Sequence, residues 1–353
     1  MLASEAVRRA VALVERVRGG MKAMVLAAGH GLRMRPLTLL LAKPVLPVLN
    51  RPLLHWTLRR LARGGVRDVV VNLHHLPDTV MSALGDGRGL GLRIRYARED
   101  VILGTGGGPR AVREVFGDEP FLLVNGDVWL DLEARELLER HRRSGACATL
   151  ALRPNPDPRA YSPVVTDRRG RILSIAGRPA PATGMVSMFA SVHVMDPALL
   201  ARLPEGVSDS VRDLYIPLLA EGALLLGVRT RGAWYDLGRP SLYRDAQLRL
   251  LPRGRSLVEA RARVSAGADV RHSVVGAGAR VGASRVERSV LWAGTVVESG
   301  ARLSGAILAT GAVVRCGERA ERVVVLPASV LAAGTDAGAR VERHGDMVWA
   351  DIG

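Results

Sequence analysis

The chain has 353 residues, 48% of them hydrophobic, with a formal charge of +16. That length favours two domains over one, and the hydrophobic content excludes a disordered chain. Nucleic-acid binding is not expected: forty-eight arginines stand against two lysines, Lys22 and Lys43, spread along the chain rather than gathered. Aromatics amount to 4%, which leaves few stacking platforms for bases, whereas a diffuse positive field suits small phosphate anions. No apolar run approaches the ~18 residues of a membrane span. Cys147 and Cys316 fit neither a disulfide framework nor a metal-ligand spacing. A cytoplasmic protein without membrane attachment is therefore expected.

Residues 1–20 read as an extension, with Ala6, Val7, Ala10, Val11, Val14 and Val17 near helical spacing and no compact secretory stretch. Met21 stands directly before the first strong strand and is an alternative start. Residues 23–28 read as a buried strand, and residues 51–63 as a helix with Leu53, Leu54, Leu58 and Leu61 inward. Residues 69–72 form a strand, and residues 111–116 lie in a helix that starts near Pro109. Residues 121–125 make another buried strand, and residues 133–142 a further helix. Apolar strands separated by helices imply a mostly parallel, doubly wound α/β sheet, whose ligands sit at the carboxyl ends of the strands. This domain is expected to span residues 21–250.

Beyond Arg255 the period changes. Aliphatics recur at Val264, Val270, Val275, Val281, Val286, Leu291, Val297, Leu303, Leu308 and Val314, with Gly and Ala between them. Gaps of five or six residues match neither a helix nor an ordinary strand, but they match one side of a triangular parallel β-helix. Residues 256–353 are expected to form it, after a linker around Pro252 and Gly254. Terminal coils of such a helix expose apolar edges, so a homo-oligomer is expected.

Directly after the first strand stands Ala27-Ala28-Gly29-His30-Gly31-Leu32-Arg33-Met34-Arg35-Pro36-Leu37-Thr38, with Lys43-Pro44-Val45-Leu46-Pro47 following. Glycines there let the backbone approach phosphate, although the spacing is that of neither a Walker loop nor a GxGxxG fingerprint. This frame, with Leu103-Gly104-Thr105-Gly106-Gly107-Gly108, Asn125-Gly126-Asp127 and Trp234-Tyr235-Asp236-Leu237-Gly238, closely resembles the nucleotide-sugar pyrophosphorylase family. Within it, the chain looks most like bacterial mannose-1-phosphate guanylyltransferases that carry a left-handed β-helix.

The resemblance implies nucleotidyl transfer from a nucleoside triphosphate to a sugar-1-phosphate, releasing pyrophosphate, with Mg²⁺ as cofactor. GTP and mannose-1-phosphate are the leading pair, UTP or dTTP with another sugar phosphate remains open, and so does a non-catalytic nucleotide-sugar-binding subunit. Arg33 is expected to clamp the departing phosphates through its bidentate fork, and Lys43 to stand near the α-phosphate as a compact charge. The resemblance assigns the metal to Asp127 and Asp236, hard oxygen ligands of the kind Mg²⁺ prefers. Ala28, Gly29 and Gly31 and the loop at Gly104, Thr105, Gly106 and Gly107 are assigned to the nucleotide, where glycine leaves room. Asn125 and Arg178 are assigned to the sugar phosphate. Glu99 can accept from a base amine or stand exposed in its loop.

Departures cluster on the sugar side. Arg178 stands where the family commonly has lysine, Ser162 and Ser191 stand where glycines are expected, and Arg239 interrupts the usual DxGTP turn. His74 and His75 read as surface loop. His272 and His344 open a weaker alternative, an acyltransferase, because such β-helices also occur there.

Overall fold

The computed structural model describes residues 20–131, 133–332 and 335–352. All of the expected extension except Gly20 therefore lies outside the described residues. Those residues form two compact units, one of residues 20–29 with 54–234 and one of residues 30–53 with 235–352.

The first unit is built on one sheet. Its strands are β1 (Met21–Leu26), β2 (Val66–Leu73), β3 (Arg93–Arg98), β4 (Phe121–Asn125) and β5 (Ala148–Arg153), followed by β6 (Pro163–Thr166), β7 (Ile172–Ile175), β8 (Met185–Met195) and β9 (Leu225–Arg229). The order is β7-β6-β8-β4-β1-β2-β3, with β5 also beside β8 and β9 beside β5. Strands β1, β2, β3 and β4 run parallel, in register Leu26↔Asn72 and Leu26↔Asn125. Their carboxyl ends thus share one edge, the usual ligand edge of such a sheet. The long strand β8 departs from a purely parallel arrangement, running antiparallel to β4, β5 and β6.

Helix α1 (Leu53–Arg63) follows its expected inner face, with Leu54, Leu58 and Leu61 fully buried. Helices α2 (Pro77–Leu84), α3 (Gly104–Ala111) and α4 (Ala134–Ser144) follow. The sequence expectation is corrected at α3. The helix begins at Gly104 inside the glycine run, Pro109 sits in its last turn, and residues 113–115 form a separate short turn. Glycine's weak helix propensity is overridden by close packing against residues 203–208.

In the second unit, residues 30–53 make short turns and a hairpin, Pro47–Val48 with Arg51–Pro52, whose Leu49 and Asn50 both take positive φ. Helix α5 (Pro240–Leu250) precedes the β-helix. Three parallel ladders form the coils, in registers such as Val274↔Val290↔Ile307, Val281↔Val297↔Val314 and Val286↔Leu303↔Ala320. The six-residue period is realised as inward aliphatics: Val275, Val281, Val286, Leu291, Val297, Leu303, Leu308 and Val314 are buried. Val264 and Val270 are the exceptions, at the open first coil, with Val264 37% exposed. The last coil is covered by the hairpin Val341–His344 with Met347–Asp351, which pairs antiparallel to Val323–Pro327.

A serine ladder runs down one corner. The Ser273 and Ser289 hydroxyls donate to the carbonyls of Arg271 and Glu287, and each accepts the amide one coil on, from Ser289 and Ala306. The corner beside it repeats a left-handed residue at His272, Arg288, Gly305 and Arg322. The 30–53 segment is fastened inside this unit. The Asn50 side-chain amide donates to the Val275 carbonyl at 3.0 Å, the Leu49 amide to Gln247 at 2.9 Å, and the Tyr243 hydroxyl to the Pro47 carbonyl.

Candidate active site

In the first unit, the carboxyl edge of the sheet carries three loops that the sequence singled out. After β1, Ala27 donates its amide to Asn72 Oδ1 at 2.7 Å, which turns the chain away from the strand direction. Ala28 is buried and Gly29 exposed, and a Cβ at Gly29 would meet nothing within 4 Å. After β4, the Gly126 amide donates to the Leu26 carbonyl at 2.8 Å, and a Cβ at Gly126 would lie 2.8 Å from that same oxygen. Only glycine lets this turn lie against the end of β1. The half-buried Asn125 and Asp127 flank it.

The third loop leads into α3, and its glycines have a second explanation. A Cβ at Gly104 would lie 2.6 Å from the Ser208 carbonyl oxygen, one at Gly106 2.9 Å from Leu203, and one at Gly107 2.1 Å from the Gly206 carbonyl oxygen. These glycines allow residues 203–208 to pack on the helix. The Gly106 amide donates to the Ser208 carbonyl at 2.9 Å, and the Thr105 hydroxyl donates to Asp209 at 3.0 Å while accepting the Ser210 amide. The Thr105 side chain, assigned to the nucleotide on sequence, thus already holds the 209–210 segment.

The sugar-side candidates are set differently. Arg178 is exposed in the turn after β7, where its amide and carbonyl bond with Ile175. Ser162 is exposed, and the half-buried Tyr161 meets Trp234 edge to face with ring centroids 5.3 Å apart. Ser191 takes φ 66° at an irregularity in the β8 ladder, a conformation that favours glycine. The glycine expected there has its physical reason, and the serine carries the strain. Behind it, His193 is buried and hydrogen-bonds the buried Tyr215 hydroxyl; burial pushes its ring down to about 3, so the imidazole is neutral near pH 7.

The second unit carries the expected cationic residues Arg33 and Lys43 and the carboxylate Asp236. Gly31 takes φ 63°, and a Cβ there would press on Thr38 at 3.0 Å and on the Lys43 Cβ at 3.1 Å. The Thr38 hydroxyl donates to the Gly31 carbonyl at 3.0 Å and closes the loop, while Lys43 is buried and Arg33 exposed. A Cβ at Gly238 would lie 2.9 Å from Asp236 Oδ1 and 3.2 Å from Arg33 Nη2. Arg33 and Asp236 therefore border one glycine, although 203 positions separate them in the chain. Among the described residues no group of three or more His, Cys, Asp or Glu side chains is gathered to hold a metal.

Sequence reasoning quoted Gly238 without its part in the site, and missed Asp209 and the part played by Glu99. The reading of Glu99 as an exposed loop residue is corrected: it is buried, because its carboxylate is drawn in by Asn72 and the Leu103 amide. Nothing local in the sequence separates it from a solvated loop glutamate.

A mixed sheet followed in the same chain by a parallel β-helix is the architecture of sugar-1-phosphate nucleotidyltransferases with a hexapeptide-repeat domain. Residues 22–252 match the Nucleotidyl transferase family and residues 255–347 the GlmU-like C-terminal hexapeptide family. The chain belongs to the nucleotidyl transferase family. It is 34% identical over 292 residues to the mannose-1-phosphate guanylyltransferase of Mycobacterium tuberculosis, covering 78% of this chain and 81% of that one. It is 32% identical over 241 residues to a UTP–glucose-1-phosphate uridylyltransferase of Synechocystis, covering 64% of this chain and 62% of that relative. The fold is also that of a putative glucose-1-phosphate thymidylyltransferase from Bacillus anthracis, with TM-score 0.57 and 22% identity over 67% of this chain and 98% of that one.

Proposed function

We propose that this protein transfers a guanylyl group from GTP to mannose-1-phosphate, forming GDP-mannose and pyrophosphate. The observation that favours this pair is the reach of the guanylyltransferase match. It extends over 78% of the chain, whereas the uridylyltransferase match covers 64%. On this reading the sugar-phosphate oxygen attacks the α-phosphorus in line with the departing pyrophosphate. Catalysis then rests on positioning and on neutralising phosphate charge. Arg33 holds the β- and γ-phosphates, and Lys43 stands by the α-phosphate. The backbones of Ala28 and Gly29 and of residues 104–107 receive the nucleoside, and Asn125 and Arg178 the sugar phosphate. Asp127 and Asp236 are the residues that would hold Mg²⁺, and the ion would supply neutralisation of phosphate charge.

The test is pyrophosphate release over a grid of triphosphates and sugar-1-phosphates, with Asp127→Asn as the inactive control. Turnover confined to GTP and mannose-1-phosphate, lost in the variant and on adding EDTA and restored by Mg²⁺, is expected. Turnover with UTP or dTTP instead would reassign the base. Silence across the grid while a triphosphate still binds would move the reading to a regulatory nucleotide-binding subunit, with Ser162, Arg178, Ser191 and Arg239 as the suspects.

A further inference from the structure

Glu99 closes the end of β3 as a buried carboxylate that none of the steps above uses. Its Oε1 accepts from the Asn72 side-chain amide at 2.8 Å, and its Oε2 accepts the Leu103 backbone amide at 2.9 Å. Asn72 in turn accepts the Ala27 amide on Oδ1 at 2.7 Å. Behind the carboxylate, the Glu99 amide donates to the Leu73 carbonyl at 2.7 Å, and His74 Nδ1 lies 2.8 Å from the Glu99 carbonyl oxygen. A Cβ at Gly108 would lie 2.9 Å from Glu99 Oε1 and 3.2 Å from Asn72 Nδ2, so that glycine makes the space for the pair. One short relay therefore runs from the backbone after β1, through the end of β2 and the end of β3, to the residue that opens α3.

We propose that Glu99, acting through Asn72, is a positioning residue that fixes the Ala27–Gly29 backbone relative to the first turn of α3. Those are the two backbone stretches that receive the nucleoside, and the inference rests on that reading. The polarity of the relay is what makes Glu99 specific. Two donors, Asn72 Nδ2 and Leu103 N, converge on it, so a carboxylate satisfies both where an amide satisfies one. Burial pushes its carboxyl upward, and the two donors with the neighbouring His74 pull against that shift.

The polarity also supplies the test. Glu99→Gln sets an amide donor against one of the two incoming donors, and Asn72→Asp sets two carboxylates face to face. The double variant restores a complete set. Its amide at position 99 donates to the carboxylate at position 72 and accepts from Leu103, and that carboxylate still accepts from Ala27. Each single variant is expected to raise KM for the triphosphate by about tenfold, the scale of one lost buried hydrogen bond, with KM for the sugar phosphate within about twofold. The double variant is expected to recover most of that loss, as coupled partners in one network do. An unchanged triphosphate KM in Glu99→Gln, or a double variant no better than the singles, would overturn the proposal. Amide hydrogen exchange at Ala27 and Leu103, measured on the same four proteins, separates the brace from the activity. Lost protection in the singles and its return in the double support the brace even if no substrate pair turns over. Failure of the wild type to bind GTP, UTP or dTTP would sink the functional reading, while the exchange pattern would still decide the brace.

Discussion

At Gly238 the space of one methyl group borders both the Arg33 guanidinium and the Asp236 carboxylate. Gly238→Ala would drive its new atom to within 2.9 Å of Asp236 and 3.2 Å of Arg33, closer than carbon normally approaches polar side-chain atoms. Displacements of about 1 Å at a reacting centre can cost on the order of 100-fold. The variant is therefore expected to fold with an unchanged thermal midpoint and to lose at least about tenfold in kcat; undiminished kcat would remove these two residues from catalysis. Ser191 makes the opposite case, a side chain held where glycine fits. Ser191→Gly is expected to raise stability by up to about 1 kcal/mol, read as a higher denaturant midpoint, because the left-handed penalty exceeds the entropy that glycine adds to the unfolded chain. His193 sets a pH dependence. Its folded value, pushed down to about 3 by burial, lies below the ordinary value of about 6.5. Its contribution to stability is thus present above pH ~6.5 and is lost as pH falls towards 3. The thermal midpoint should decline across that window, and His193→Gln should flatten the decline.

Among the elements, the β-helix shows how a repeat satisfies its own backbone. Each ladder serine donates within its own coil and accepts an amide from the next. Ser289→Ala therefore leaves the Ala306 amide and the Glu287 carbonyl without that partner in a buried corner. A loss of about 1–3 kcal/mol is expected in chemical denaturation, against near neutrality for an exposed serine such as Ser162. The repeat of aliphatics was legible because it is local to each coil and recurs many times. The serine ladder was not, since a serine before an aliphatic also describes an ordinary turn. Helix α3 shows the limit of reading composition. Four of its first five residues are glycine, which reads as room for a ligand, yet Gly104, Gly106 and Gly107 are each crowded by residues 203–208. Both demands act on the same residues, and only the packing partner, about a hundred positions away, reveals the second.

For the whole molecule, we propose that the homo-oligomer expected from sequence forms through the open first coil of the β-helix. Its strands Leu257–Val258, Arg263–Val264 and Asp269–Arg271 each end a ladder, and Val258 and Val264 are 42% and 37% exposed. The far end is capped by its own hairpin. An oligomer is expected by light scattering at micromolar concentration, and a monomer there would remove the first coil from consideration as an interface. No described helix is long and apolar enough to cross a membrane.

By itself the sequence determined the two kinds of periodicity, and hence the two architectures. It also determined the motifs at the sheet's carboxyl edge, because apolar spacing and glycine-bearing turns act over a few residues. Tertiary structure alone decided that Glu99 is buried, that Gly238 borders both Arg33 and Asp236, and that the Thr105 hydroxyl holds residues 209–210. Those outcomes depend on distances between residues far apart in the chain. Such distances follow from how buried surfaces pack and how buried polar groups find partners, and no local pattern records them.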